Sequence, residues 1–294
     1  MVTFRWLIQT FVTLGTNSYL LFPFGSVIYQ GPLKAVCHPG LNCYSCPAAL
    51  LSCPVGAMQN FLASLRFTSP GTWPRPGVIV LGYLGFIGTL VGRLPCGWLC
   101  PFGFIQDLLF KIPCRKFTLW PPLRWVKYGV LAVFVVLLPL LLVDAYGLGQ
   151  PWFCKLICPS GTLLGALPLV LVKPTLWQTL GFFFWNKIAI LIILIVLATV
   201  ISRFFCRVLC PLGAFYGLFN RVSLAHLEFI EGNCVECQAC VRACPTGVKP
   251  LLDPYNSECI LCLKCLDACH FRALDFSLRR YPRPAKEPYP PHTA

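Results

Sequence analysis

Acidic residues are scarce in this 294-residue sequence, where ten Asp and Glu stand against 24 Lys and Arg. Charge of either sign is thin: 12% of residues are charged, 57% are hydrophobic and the mean hydropathy is +0.71, which excludes a water-soluble globule. There are only four histidines and two methionines. His38, His226, His270 and His292 fall outside the long apolar runs, which excludes a bis-histidine haem inside a bundle, and the absence of C-x-x-C-H excludes a covalent c-type haem. With Met1 and Met58 as the only thioethers, a copper centre has little support. No glycine-rich phosphate loop occurs, so any flavin or nicotinamide chemistry belongs to a partner.

What is plentiful is apolar sequence and cysteine. Runs able to cross roughly 30 Å of hydrocarbon cover about residues 4–28, 77–91, 125–146 and 182–205. The second is short and glycine-rich, and 163–172, too short to cross and interrupted by Pro168, reads as an interfacial or re-entrant helix. A signal peptide over the first run is the weaker alternative, since Thr16, Asn17 and Ser18 interrupt it and no small-residue cleavage site follows.

The formal charge of +14 lies entirely in residues 1–227, whose only acids are Asp107 and Asp144. A basic excess confined to the apolar part is an orientation signal rather than a nucleic-acid surface. Arg93, Lys111, Arg115, Lys116, Arg124 and Lys127 crowd the second connection, and Arg203, Arg207 and Arg221 lie at or beyond the end of the fourth run. These ends are expected in the cytoplasm, as are both termini. The loops 29–76 and 147–181 are poor in Lys and Arg and are expected outside.

After about residue 227 the apolar runs stop. Here Cys234, Cys237, Cys240 and Cys244 stand as C-x-x-C-x-x-C-x-x-x-C followed by Pro245, and Cys259, Cys262, Cys265 and Cys269 repeat the spacing. A tight loop wraps three corners of a cubane while the fourth thiolate comes from the other motif. The crossed pattern gives Cys234, Cys237, Cys240 and Cys269 to one [4Fe–4S] cluster, and Cys259, Cys262, Cys265 and Cys244 to the other. Residues 228–276 thus resemble the bacterial two-cluster ferredoxins, with His270 where proline is usual. A pair of zinc sites is the plainer alternative, but zinc motifs set two cysteine pairs well apart.

In the apolar part, Cys-Pro-x-Gly recurs at Cys53, Cys100, Cys158 and Cys210, and in the last three units a cysteine precedes by four (Cys96, Cys154, Cys206). Proline after cysteine suits a helix start, whose free N–H groups and dipole favour thiolates and anionic clusters. Two cysteines cannot complete a cubane, but two units on one side can. Cys96, Cys100, Cys206 and Cys210 form the cytoplasmic set. On the external side Cys154 and Cys158 need two of Cys37, Cys43, Cys46 and Cys53; Cys46 and Cys53 are preferred, with Cys43 a close rival. Two further [4Fe–4S] clusters, one near each membrane face, are expected. Disulfides among the external cysteines remain an alternative, and Cys114 reads as a plain thiol.

The segments Arg93-Leu-Pro-Cys-Gly-Trp-Leu-Cys-Pro-Phe-Gly and Phe205-Cys-Arg-Val-Leu-Cys-Pro-Leu-Gly, followed by the doubled motif, resemble the NapH-type membrane ferredoxins, which include NosR and MauN modules. The external cysteines exceed that family's pattern. The resemblance implies quinol oxidation or electron relay to a partner redox protein in a prokaryotic cytoplasmic membrane. The expected protein is mainly α, with about four transmembrane helices over residues 1–226, an α+β two-cluster ferredoxin domain over 227–280 and a Pro-rich tail over 281–294. Its expected role is an electron-transfer subunit of a membrane redox complex. Rivals are a quinol dehydrogenase feeding a periplasmic reductase, and a maturation factor that reduces a metal centre elsewhere. For a quinone site, Asp107 is the one acid near the cytoplasmic face of this part, with Trp98 and Tyr128 as lining; the plainer alternative pairs Asp107 with Lys111 at i,i+4.

Overall fold

Nineteen residues from Phe182 to Val200, almost all aliphatic or aromatic, form one long helix. Leu191, Leu194 and Ala198 bury one stripe, while Ile192, Ile193 and Val196 face outward, an arrangement suited to lipid rather than water. The computed structural model describes residues 2–19, 28–65, 75–144 and 149–278.

Among these, two helices are long and apolar enough to cross a membrane, Pro121–Leu141 and Phe182–Val200. Two shorter apolar helices are Gly77–Val91 and Gly161–Val172. Within the N-terminal run a helix covers Val2–Thr16, about 22 Å long at 1.5 Å per residue. It stops at its polar triplet because those side chains turn back onto the last carbonyls. Thr16 donates to Val12 O at 2.7 Å, Asn17 to Thr13 O at 3.0 Å and Ser18 to Gly15 O at 3.0 Å. The remainder of that run, 20–27, and the tail 281–294 lie outside the described residues.

Prolines shape two of the apolar helices. Residues Leu131–Leu137 and Gly161–Ala166 take the wider π form, and Pro139 and Pro168 follow two residues later. A proline supplies no N–H and its ring crowds the carbonyl four residues back, which the wider turn relieves.

The four Cys-Pro-x-Gly units build one local design. In three of them a five-residue helix carries the first cysteine: α1 (Leu94–Trp98), α2 (Trp152–Leu156) and α3 (Phe204–Val208). Proline then opens a second helix with the other cysteine as its N-cap, as in α4 (Pro54–Ser64), α5 (Pro101–Leu109) and α6 (Pro211–Phe219). The glycine N–H donates to the cap sulfur at 3.4 Å for Cys100, 3.3 Å for Cys210 and 3.4 Å for Cys158.

Strand β1 (His226–Phe229) pairs antiparallel with β2 (Leu274–Ser277), His226 opposite Ser277 and Phe229 opposite Leu274. The doubled cysteine motif lies between them. Leu224 and Ala225 donate N–H to Thr89 O and Leu90 O, so this small domain continues directly from the end of the Gly77–Val91 helix.

Candidate metal centres

In the small domain, Cys234, Cys237, Cys240 and Cys269 line one cavity with Leu251 and Phe271. Cys244 sits instead with the second loop: burial first, then the neighbouring Cys262, Cys259 and Cys244, pushes the Cys265 thiol well above its ordinary value. The loops are held in left-handed conformations at matching places, Glu236 and Leu261, Gln238 and Leu263, Gly247 and Arg272. Just beyond, Val248 N–H donates to Cys244 Sγ at 3.4 Å and Ala273 N–H to Cys269 Sγ at 3.3 Å. Backbone N–H groups turned toward sulfur in this way favour an anionic cluster.

The set expected at the cytoplasmic face, Cys96, Cys100, Cys206 and Cys210, lies in one buried core with Ile260 of the second ferredoxin loop. Two arginines, each three residues before the first cysteine of its unit, reach across to the other unit. Arg93 donates to Cys206 O at 3.3 Å and Arg203 to Cys96 O at 2.7 Å. Each also holds a buried carboxylate: Arg93 meets Glu258 at 3.2 Å, where Lys127 pairs as well, and Arg203 meets Asp107 at 2.6 Å, where Arg5 adds a contact at 3.0 Å. Burial alone would raise the Asp107 pKa, but the guanidiniums outweigh it and hold the carboxyl below its usual range.

The same core is the docking surface for the ferredoxin domain. Trp98 donates to Leu261 O at 2.9 Å and Arg93 to Ser257 O at 2.7 Å. Asn220 donates to Asn256 O at 2.8 Å and to Cys259 O at 2.7 Å. Gly97 is required here, since a Cβ would fall 2.4 Å from Ile260 O.

On the opposite side a cavity of about 330 Å³ is lined by Cys43, Cys53, Cys154 and Cys158. Cys46, the preferred choice on spacing, is turned away, its thiol donating to Asn17 Oδ1 at 3.7 Å. The external loop is not confined to the surface: Leu41 N–H reaches Cys100 Sγ at 3.4 Å. The two membrane sets are therefore joined through residues 41–43, at most about 7 Å of extended chain, rather than separated by a full hydrocarbon thickness.

Two glutamines that the spacing analysis passed over each tie together the two units of one set. Gln106 donates to Cys206 Sγ at 3.0 Å and accepts the Phe205 N–H at 3.1 Å. Gln59 does the same opposite, to Cys154 Sγ at 3.2 Å and from Phe153 N–H at 3.0 Å. Each stands six residues after its Cys-Pro cysteine, so Cys-Pro-x-Gly-x-x-Gln at 53–59 and 100–106 was the available signal.

The chemistry of these sets fits iron–sulfur clusters. Burial pushes the Cys154 and Cys206 thiols up to about 11 and Cys259 to about 12, so such groups become thiolates when a metal replaces the proton. All four sets consist of cysteine alone, the ligand type of cubanes. Among the described residues no three Cys, His, Asp or Glu side chains converge on a point for one ion; in the external set the four sulfurs line a wider space instead.

The expected quinone residues do not share a site. Asp107 borders a cavity of about 900 Å³ with Trp6, Phe110, Lys111, Lys264 and Cys244. Trp98 lies in the domain interface, and Tyr128 packs its ring on Trp125. Lys111 stacks on Trp6, 3.7 Å from the ring centre, so the local Asp107–Lys111 pair gives way to the distant arginines. Cys114 is exposed and donates to Thr199 O at 3.2 Å, and Cys37 is buried in a bridge to Ser52.

A family of 4Fe-4S dicluster domains matches residues 220–278. A second, the 4Fe-4S binding domain, matches four times, over 52–70, 72–119, 130–173 and 183–229, once for each Cys-Pro unit. An uncharacterized protein of Methanocaldococcus jannaschii is 32% identical over 64% of this chain and 73% of its own length. The Escherichia coli protein YccM, whose name assigns it to electron transport, is 26% identical over 77% of this chain and 63% of its own. The ferredoxin-type protein NapH of Haemophilus influenzae is 26% identical over 66% and 65%. The aligned region thus spans about two thirds of each relative's length. No solved structure matches the chain.

Proposed function

Because this chain belongs to the NapH/MauN-like family of membrane 4Fe–4S ferredoxins, we propose that it is the electron-transfer subunit of a membrane redox complex, linking the cytoplasm to the opposite side of the membrane. Each cysteine set would hold one [4Fe–4S] cluster, a one-electron carrier. The ligand sets are Cys234, Cys237, Cys240 and Cys269; Cys244, Cys259, Cys262 and Cys265; Cys96, Cys100, Cys206 and Cys210; and Cys43, Cys53, Cys154 and Cys158.

The observation that carries this reading is continuity. Cys262 packs against the core that contains Cys96, Cys100, Cys206, Cys210 and Ile260, and residues 41–43 continue from Cys100 to the external set. The protein's own contribution is to bury thiols that would otherwise keep their protons, to aim N–H groups at sulfur, and to exclude water from the junctions. The orientation follows the Lys and Arg distribution, with both termini in the cytoplasm and the 43/53/154/158 set toward the external side. Further subunits supply the donor and acceptor.

Iron and sulfide analysis of the purified chain tests the count. About sixteen Fe is expected; about twelve would leave the external cysteines without a cluster, and about eight would leave only the ferredoxin pair.

A second reading, quinol oxidation, is favoured by the 900 Å³ cavity, which borders the Val2–Thr16 helix and the ligand Cys244 and is of ordinary ligand-site size. Asp107, ionised between Arg203 and Arg5, serves there as a structural ion pair rather than as a proton acceptor. Reduction of the loaded protein by a quinol analogue, blocked by substitution of Phe110 or Trp6, is the expected result; no reduction removes this reading.

A further inference from the structure

The external cavity contains two polar side chains that the fold leaves bare. Asn42 is wholly buried, and neither its Nδ2 nor its Oδ1 has a hydrogen-bond partner. Ser160 is also wholly buried, with an unpartnered hydroxyl. Both line the cavity bounded by Cys43, Cys53, Cys154 and Cys158. Buried polar groups in folded proteins are almost always paired, so each needs an explanation.

Neither is free to turn away. Asn42 sits between Leu41, whose N–H is held by Cys100 Sγ, and Cys43. The chain before it is fixed as well: Tyr216 donates to Pro39 O at 3.1 Å, His38 Nδ1 accepts the Gly40 N–H at 2.9 Å, and a Cβ on Gly40 would fall 2.7 Å from Cys100 Cα. Ser160 lies between Cys158 and Gly161, whose N–H donates to Cys158 Sγ. The corresponding positions of the cytoplasmic set are Phe102 and Leu212, which have nothing to donate.

We infer that Asn42 Nδ2 and Ser160 Oγ are hydrogen-bond donors to a [4Fe–4S] cluster in the external cavity and raise its reduction potential. This rests on the reading that Cys43, Cys53, Cys154 and Cys158 ligate a cluster. A donor to cluster or thiolate sulfur stabilises the more negative, reduced form, and such bonds are among the protein's main controls on potential. Gln106 gives the cytoplasmic set one neutral side-chain donor and Gln59 gives the external set one; the pair adds two more at the external centre.

The test is an EPR-monitored redox titration of the full-length loaded protein and of Ser160→Ala, Asn42→Leu and the double variant. Ser160→Ala removes one oxygen from a helix start and leaves the packing intact, so it reports even where Asn42→Leu impairs assembly. The expected result is a lower midpoint for one membrane centre only, further lowered in the double variant, with iron content unchanged. A tenfold change in the reduced-to-oxidised ratio at fixed poise, about 59 mV for one electron, is the expected size for the double variant. An external midpoint unmoved by both substitutions, or moved equally with the cytoplasmic one, overturns the inference. Failure of the underlying reading looks different: the unsubstituted protein then holds about twelve Fe, and Cys43→Ala loses none of it.

Discussion

The two membrane cysteine sets share a plan and differ in what braces it. In both, a glutamine six residues after one Cys-Pro cysteine ties the partner unit by one N–H···S bond and one accepted backbone N–H. In the set proposed to lie toward the cytoplasm, the unit glycines lie against the crossing guanidiniums: a Cβ on Gly213 would fall 3.0 Å from Arg93 Nη2, and one on Gly103 3.6 Å from Arg203 Nη1. On the external side the equivalent glycines face the loop instead, Gly56 the Tyr44 ring at 2.9 Å and Gly161 the Cys43 sulfur at 3.7 Å. Charge is thus concentrated where the ferredoxin domain docks, because Arg93 and Lys127 bind Glu258 of that domain. In the other set the loop brings Cys43 to the cavity, which Lys155 and Lys187 also line. A buried ion pair adds little over apolar packing, but removing one partner is expensive, so the cytoplasmic site works as a complete set or fails.

Breaking that set should produce the largest effect. Arg203→Met leaves Asp107 buried with Arg5 alone and removes the bond to Cys96 O. A destabilisation of about 3–5 kcal/mol, with loss of the cytoplasmic membrane centre from the EPR spectrum, is expected. Lys187→Met, beside the external cysteines, should leave both thermal midpoint and iron content near those of the parent. Equal damage from the two would erase the distinction drawn between the sets.

Ligand identity comes next. Cys43→Ala should remove one centre, about four Fe per chain, while Cys46→Ala should remove none, since its thiol faces Asn17. The reverse outcome would return the fourth ligand to Cys46. Smaller effects are expected from the shared glutamines. Gln106→Leu and Gln59→Leu each leave a buried Phe N–H unpaired, costing about 1–3 kcal/mol, and each should lower the midpoint of its own centre only. If either shifts both centres, the sets are not separately braced.

How much of this was legible in sequence depends on the range of the interaction. That Cys234, Cys237, Cys240 and Cys269 line one cavity was legible from spacing, because a seven-residue loop fixes three sulfurs locally, and the Cys-Pro-x-Gly units mark helix starts for the same reason. Asp107 shows the opposite case: its local neighbour Lys111 was the natural partner, yet Arg203 and Arg5 lie 96 and 102 residues away. Cys43 and Cys46 differ by three positions, and only the packing of the loop decides which of them lines the cavity. The end of the Val2–Thr16 helix was less legible, because it depends on Thr16, Asn17 and Ser18 turning back to nearby carbonyls. The crossing arginines carried a sequence sign, Arg-x-x-Cys before both cytoplasmic units, whose meaning needs the partner unit in place.

The ferredoxin halves allow the same kind of comparison at lower cost. Three residues after the last cysteine of each motif the chain is left-handed, with Gly247 at φ 64° and Arg272 at φ 51°, because Val248 and Ala273 must each turn an N–H onto the cysteine sulfur. A side chain in that region costs about 1–2 kcal/mol, and Arg272 is exposed, so nothing in the core requires it. Arg272→Gly should therefore stabilise the loaded protein by about 0.5–1 kcal/mol once the greater freedom of unfolded glycine is counted. Gly247→Ala should destabilise it by about 1 kcal/mol, since its Cβ would meet only the Arg207 and Arg124 guanidiniums at 3.4 and 3.5 Å. Denaturation midpoints of the two variants measure both signs, and a loss of stability in Arg272→Gly would mean that the guanidinium, not the backbone, holds that turn.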